Sequence, residues 1–265
     1  MIELSGGIKK GAWFLTRNDG YVEILEVINF DKVLIKFIHP EWTTYVRATA
    51  IRSGMIKNHY KPSMCNKGYL GEGKYKRVNN GVKTPAYSSW CYMLNRVYAP
   101  DGQQLQNYYD VTVCEEWHNY QIFAEWYNNM LKTCDLNIDW EIDKDLIIPG
   151  NRCYHPEGCC LIPQAINSLI KIIPSKILNL PIGIRKHRKN YYAVCRKINH
   201  KRQTTGPWSS MFLAQVSYWE MKIDSIRYTT YLYKNHLPPT LYERLINFNW
   251  KDIRDYYGEV SYLQL

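Results

Sequence analysis

Residues Trp140–Ile170 read WEIDKDLIIPGNRCYHPEGCCLIPQAINSLI. Glu141, Asp143 and Asp145 stand at alternate positions at the start of this stretch. Alternate side chains of a β-strand share a face, so these carboxylates are expected on one face, with Ile142, Lys144 and Leu146 on the other, and alternation by itself favours Asp143 with Asp145 as a metal pair. Pro149-Gly150-Asn151 reads as a tight turn. A second apolar run, Cys159 to Ile162, leads to Pro163, which suits the first turn of a helix. Asn167 lies on that helix, one face away from Ile166 and Leu169. The expected unit is strand, loop, short strand, helix. An acid on its first strand and an amide on its helix can hold one divalent cation through oxygen. Such a cation beside a basic surface suits phosphodiester chemistry.

The motif residues are Asp143-Lys144-Asp145, Gly150-Asn151, Tyr154-His155-Pro156-Glu157-Gly158-Cys159 and Pro163-Gln164-Ala165-Ile166-Asn167. This run resembles the HNH, or His-Me finger, nucleases, and among them the free-standing homing-type endonucleases of phages. The segment Tyr87-Ser88-Ser89-Trp90-Cys91-Tyr92-Met93-Leu94 extends the resemblance over roughly residues 60–172. The resemblance implies a ββα-metal core, a single Mg²⁺ or Mn²⁺ held by Asp143 and Asn167, and cleavage of DNA. Lys144 stands where the family has its general-base histidine. A lysine flanked by carboxylates stays protonated and accepts no proton. It suits contact with the scissile phosphate better, which leaves Asp145, His155 or a metal-bound hydroxide as the base.

Composition agrees with a polyanion partner. The 265 residues carry a formal net charge of +10, which favours and steers association with nucleic acid. The charge is uneven. Acids gather between Glu115 and Asp145, whereas Arg185 to Arg202 holds Lys and Arg almost exclusively as its charges. No secretory leader and no membrane-spanning apolar run is read in the sequence. The expected location is therefore the cytoplasm (the host's, for a phage protein), with the eight cysteines reduced. Cys153, His155, Cys159 and Cys160 lack the paired spacing of a zinc site, and zinc is not expected.

The expected fold class is α+β in three parts. Residues 1–62 read as a small SH3-like β-barrel, from short runs rich in β-branched and aromatic residues and the turn Asn18-Asp19-Gly20. That barrel is a candidate surface for a protein partner. Gly68 to Gly73 reads as a linker more than a phosphate-cradling loop, since no βαβ unit surrounds it. Residues 63–175 hold the nuclease core, with a helix capped by Thr84-Pro85 and another from Trp117 to Leu131.

Residues 176–265 read as three short strands and a helix capped by Ser209, with one more helix from Leu241 to Tyr257. Gly183-Ile184-Arg185, Tyr192-Ala193-Val194 and Gly206-Pro207-Trp208 make this part similar to the ethylene-response-factor (APETALA-type) DNA-binding domain. Its basic residues are Arg185, Lys186, Arg188, Lys189, Arg196, Lys197, Lys201 and Arg202. A basic sheet of this kind can lie in the major groove of duplex DNA, with Arg reading guanine and Lys meeting phosphate. Two other classes of function remain open: a DNA-binding protein with a degenerate, inactive finger, and an interaction protein acting through the barrel.

Overall fold

The computed structural model describes residues 2–99, 110–171, 180–196 and 202–257. The chain is mixed α and β and divides into two compact units, Met1–Tyr109 with Val113–Glu125, and Asp110–Thr112 with Trp126–Leu265.

The first unit opens with strands β1 (Trp13–Leu15), β2 (Tyr21–Asn29), β3 (Lys32–Phe37) and β4 (Trp42–Val46), paired in that order. All neighbours run antiparallel. Val22 and Ile24 on β2, and Val33, Ile35 and Phe37 on β3, bury one face of the sheet. Helix α1 (Ala48–Ser53) lays Ala48 and Ile51 against that face and ends at Gly54, whose φ of 66° closes the turn. The four strands form an open sheet, where a closed barrel was expected. The reason is local: β1 is three residues long and pairs only with β2, and α1 stands where a fifth strand would have to follow.

Strands β5 (Val78–Asn79) and β6 (Val82–Lys83) make a small hairpin. Helix α2 (Pro85–Tyr98) starts as the sequence predicts, with the Thr84 hydroxyl accepting from Tyr87 N and Pro85 in the first turn. Its Trp90 is fully buried, and Nε1 donates to Trp117 O at 2.8 Å. Trp117 sits in a 3-10 turn (Glu115–His118) ahead of helix α3 (Tyr120–Leu131), where one continuous helix was expected. Gly68 to Gly73 is packed rather than linker-like. A Cβ at Gly68 would lie 2.3 Å from Leu94, and one at Gly71 would lie 2.1 Å from the Asn119 amide.

Strand β7 (Thr112–Val113) falls where the two units meet in sequence. The second unit contains β8 (Trp140–Asp143), β9 (Cys153–Tyr154), β10 (Cys160–Pro163) and α4 (Gln164–Ile170). β8 and β10 pair antiparallel, with Asp143 opposite Cys160 and Glu141 opposite Ile162. Next come β11 (Ile184–His187), β12 (Asn190–Arg196) and β13 (Arg202–Trp208), a three-stranded antiparallel sheet in chain order. The long helix α5 (Met211–Leu232) begins at Ser210, one residue later than expected, with the Ser210 hydroxyl accepting from Phe212 N. Two helices, α6 (Pro239–Ile246) and α7 (Trp250–Tyr257), replace the single tail helix.

One apolar core runs through this unit. It joins Cys160, Ile162, Ile166 and Leu169 of the β8–β10–α4 part to Ile184, Ala193, Trp219, Ile223 and Phe248 of the sheet and helices. No helix among the described residues is long and apolar enough to cross a membrane. Cys65, Cys91, Cys134, Cys153, Cys159 and Cys160 form no disulfide.

Candidate functional site

Pairing of β8 with β10 puts Glu141 and Asp143 on the face that also carries Cys160 and Ile162, because directly opposed residues share a face. Ile162 and Ile166 pack in one cluster there, which lays α4 across this face. Asn167 is 1% exposed, and its Nδ2 donates to Glu141 Oε2 at 2.6 Å. Lys171 Nζ, one turn further on, meets the same oxygen at 2.6 Å. Gln164 Nε2 donates to Glu141 Oε1 at 3.3 Å. Burial acts to raise the Glu141 carboxyl, but the Lys171 ammonium and the two amides outweigh it and hold the group below the usual range. Asn167 Oδ1 is buried and has no hydrogen-bond partner among the described residues. A buried, unmatched carbonyl oxygen is costly and calls for an explanation.

Asp143 is committed differently. Its Oδ1 accepts from Asp145 N at 2.9 Å and Leu146 N at 2.8 Å, a side-chain cap on the turn that ends β8. The strand therefore stops at Asp143, and Asp145 leaves the alternating face. The Lys144 side chain is 9% exposed. Its ammonium pairs with Asp145 and donates to Asn151 O at 2.7 Å. Asn151 completes the loop. Its Nδ2 donates to Lys144 O and Cys153 O, both at 2.9 Å, and its Oδ1 accepts from Cys153 N at 2.9 Å.

His155 lies in the turn after β9, with Nδ1 3.1 Å from Glu157 Oε2. That contact holds the Glu157 carboxyl below its ordinary value. A Cβ at Gly158 would lie 2.3 Å from His155 Nε2 and 2.6 Å from Asn151 Nδ2, so a larger residue there would displace one or both of those side chains.

The expected site residues thus fall into two groups. Lys144, Asp145 and His155 lie in the loop between β8 and β10, which the motif residue Asn151 ties together. Asn167 bonds to Glu141, two residues before Asp143 on the same face. Glu141 was legible as an acid of the alternating strand but was not singled out. Lys171 was missed, although it stands four residues after Asn167, the spacing that stacks side chains on one helix face.

Among the described residues no three His, Cys, Asp or Glu side chains gather as a metal cluster. The oxygen donors still suit a hard cation: the unmatched Asn167 Oδ1, and carboxylates on the facing strand. Mg²⁺ needs only one or two protein carboxylates and keeps waters for the rest. Cys159 and Cys160 are core residues, and burial pushes the Cys159 thiol up to about 12 and the Cys160 thiol well above its ordinary value.

On the basic sheet, Arg185 lies opposite Tyr192, on the face away from Ile184 and Ala193, which are buried in the core beneath α5. Arg202 lies opposite Arg196 in register. Arg188 and Lys189 form the turn between β11 and β12, with Arg188 at φ 55°. Lys186 belongs to the other face and sits 5.4 Å over the Tyr191 ring. Arg185, Lys186, Arg188, Lys189 and Arg202 are all exposed. Lys197 and Lys201 lie outside the described residues. No family model matches the chain, and neither a curated protein nor a solved structure does.

Proposed function

We propose that the protein is a metal-dependent DNA endonuclease of the HNH type, homing-like and phage-encoded, that binds duplex DNA through the basic sheet β11–β13. The observation that carries this reading is Asn167: a buried helix amide turned onto a strand carboxylate, with its carbonyl oxygen left unmatched. In this reading Asp143 and Asn167 hold one Mg²⁺ or Mn²⁺, with Glu141 as a further oxygen donor beside them. The cation, when bound, stabilises charge on the leaving oxygen of the scissile phosphodiester. Glu157 orients the His155 ring, and His155 takes the proton of the attacking water. Lys144 and Asn151 set the shape of the loop that carries His155. Arg185, Arg188, Lys189 and Arg202 hold the duplex, with Lys186 and Arg196 flanking them.

A second reading, a DNA-binding protein with an inactive finger, is favoured by one observation. The residue at the family's base position, Lys144, is buried in an ion pair with Asp145. Incubation of the full chain with supercoiled plasmid and Mg²⁺ or Mn²⁺, with and without chelator, separates the two. The nuclease reading expects relaxed or linear product that chelator abolishes. It also expects Asp143→Ala and Asn167→Ala to lose cleavage while retaining DNA affinity. Cleavage at the wild-type rate by either variant would remove that residue from the metal site. Binding without metal-dependent cleavage would establish the second reading.

A further inference from the structure

The segment Lys74-Tyr75-Lys76-Arg77-Val78-Asn79-Asn80-Gly81-Val82-Lys83 holds four cations and no acid. It folds into the β5–β6 hairpin, with Val78 opposite Lys83 and Asn79 opposite Val82. Asn80 and Gly81 form its two-residue turn, at φ 48° and 79°. Both φ values are positive, as the tight hairpin turn that matches strand twist requires. The ladder continues inward through Thr84 N to Arg77 O at 2.9 Å.

The foot of the hairpin is held firmly. The Gln121 amide makes a two-point clamp on Tyr75, accepting from its N at 2.9 Å and donating to its O at 3.0 Å. Tyr120 Oη donates to Lys76 O at 2.9 Å. Beyond that anchor every residue from Lys76 to Lys83 is exposed. Val82 is 70% and Val78 44% exposed, so the strands bury nothing of their own. None of Lys74, Lys76, Arg77 and Lys83 meets a carboxylate among the described residues. A cleft of about 490 Å³ opens at the hairpin's foot, with Lys76, Arg77, His59 and the Gly71–Gly73 backbone in its wall.

Lys74 and Lys83 lie 5.2 Å and 6.0 Å over the Tyr75 and Tyr87 rings, and Arg77 stands beside the Tyr87 hydroxyl, so these cations are held in place on an exposed, rigidly planted ribbon with no carboxylate to neutralise them among the described residues. We propose that the β5–β6 hairpin is a second DNA-contacting element, a ribbon that lies in the major groove of duplex DNA. The inference rests on the DNA-binding reading above and adds to it a contact outside the C-terminal sheet. Lys76, Arg77 and Lys83 meet phosphates, and Asn79, Asn80 and Val82 at the tip reach base edges. The major groove of B-DNA, about 12 Å wide, admits a two-stranded ribbon. The deep, narrow major groove of A-form RNA does not, which makes DNA the occupant.

The test uses the full chain and a fluorescent duplex, with affinity measured across a salt series. Each phosphate neutralised contributes about 0.9 to the log–log salt slope. Lys76→Ala/Arg77→Ala/Lys83→Ala is therefore expected to flatten the slope by nearly three units, with an unchanged thermal midpoint. Val82→Glu, a single exposed substitution, is expected to weaken binding roughly tenfold or more by bringing a negative charge into the groove between the two phosphate backbones. Wild-type affinity and slope in both variants, while Arg185→Ala/Arg202→Ala weakens binding, would overturn the hairpin proposal and leave the sheet reading standing. No duplex binding by the wild-type chain at low salt would overturn both. Loss of RNA binding by the triple variant with duplex binding intact would assign the hairpin to RNA and overturn the groove docking.

Discussion

Lys222 is the residue whose chemistry is least at ease with its place. It is 4% exposed on α5, with its ammonium 5.8 Å from the Tyr218 ring centre, 5.7 Å from that of Trp219 and 3.4 Å from Lys171 O. Burial lowers its pKa to about 8. The unfolded chain binds this proton up to about pH 10.4, so between pH 8 and 10.4 it holds more proton than the folded chain. Stability therefore rises with pH across that window on this residue's account, and the full penalty is present below pH 8. Lys222→Met is expected to add roughly 1–3 kcal/mol at neutral pH and to flatten that rise. Urea unfolding at neutral and alkaline pH measures both; a loss of stability at neutral pH would show that the ring and carbonyl contacts outweigh the burial cost.

Lys144 raises a parallel question on the candidate site. Its position was legible from the motif and its face from strand alternation, but its contacts were not, because alternation sets Lys144 away from Asp145 and only the end of β8 at Asp143 lets the two pair. With its ammonium tied to Asp145 and Asn151 O, Lys144→Ala is expected to cost roughly 1–3 kcal/mol by leaving those acceptors unmatched. A thermal melt beside the plasmid assay reads this directly. Lost cleavage with an unchanged melt would restore Lys144 to the phosphate.

At the scale of elements, legibility followed the length and chemistry of each signal. Thr84-Pro85 gives α2 its start in the chain itself, since the hydroxyl caps and the proline needs no N–H. The strands β2 and β3 alternate apolar residues for long enough to be read. The β5–β6 hairpin has two residues a strand and so no periodicity, and its Asn80-Gly81 turn was passed over. The tail breaks into α6 and α7 because Asp252 accepts from Asn249 N at 2.7 Å, a cap that restarts the helix, and also pairs with Arg244 at 2.6 Å. Asp252→Ala is therefore expected to cost roughly 1–2 kcal/mol through loss of cap and ion pair together. Chemical denaturation measures it; an unchanged midpoint would mean that Phe248 and Ile253 alone hold the two helices in place.

At the scale of the whole molecule, the sequence divides more finely than the packing does. Motif and composition mark 63–175 and 176–265 as separate stretches. Yet Ile166 and Leu169 on α4 share one core with Trp219, Ile223 and Phe248. The shift from an acidic strand to basic strands marks a change of chemistry, and apolar residues on both sides of it can still face one another. Lys222 Nζ adds a polar tie, donating to Lys171 O at the end of α4. A piece that keeps every residue of this core is 126–265. That fragment is expected to unfold in one cooperative transition and to retain duplex binding through Arg185, Arg188, Lys189 and Arg202. A fragment from 176 onward loses the α4 side of the core. It is expected to melt broadly and to expose apolar surface, since removing several buried aliphatic side chains costs roughly 2–5 kcal/mol each. Calorimetry and binding of an apolar dye on the two fragments decide the matter. A sharp transition in the shorter fragment would show that the sheet and α5 suffice as a core by themselves.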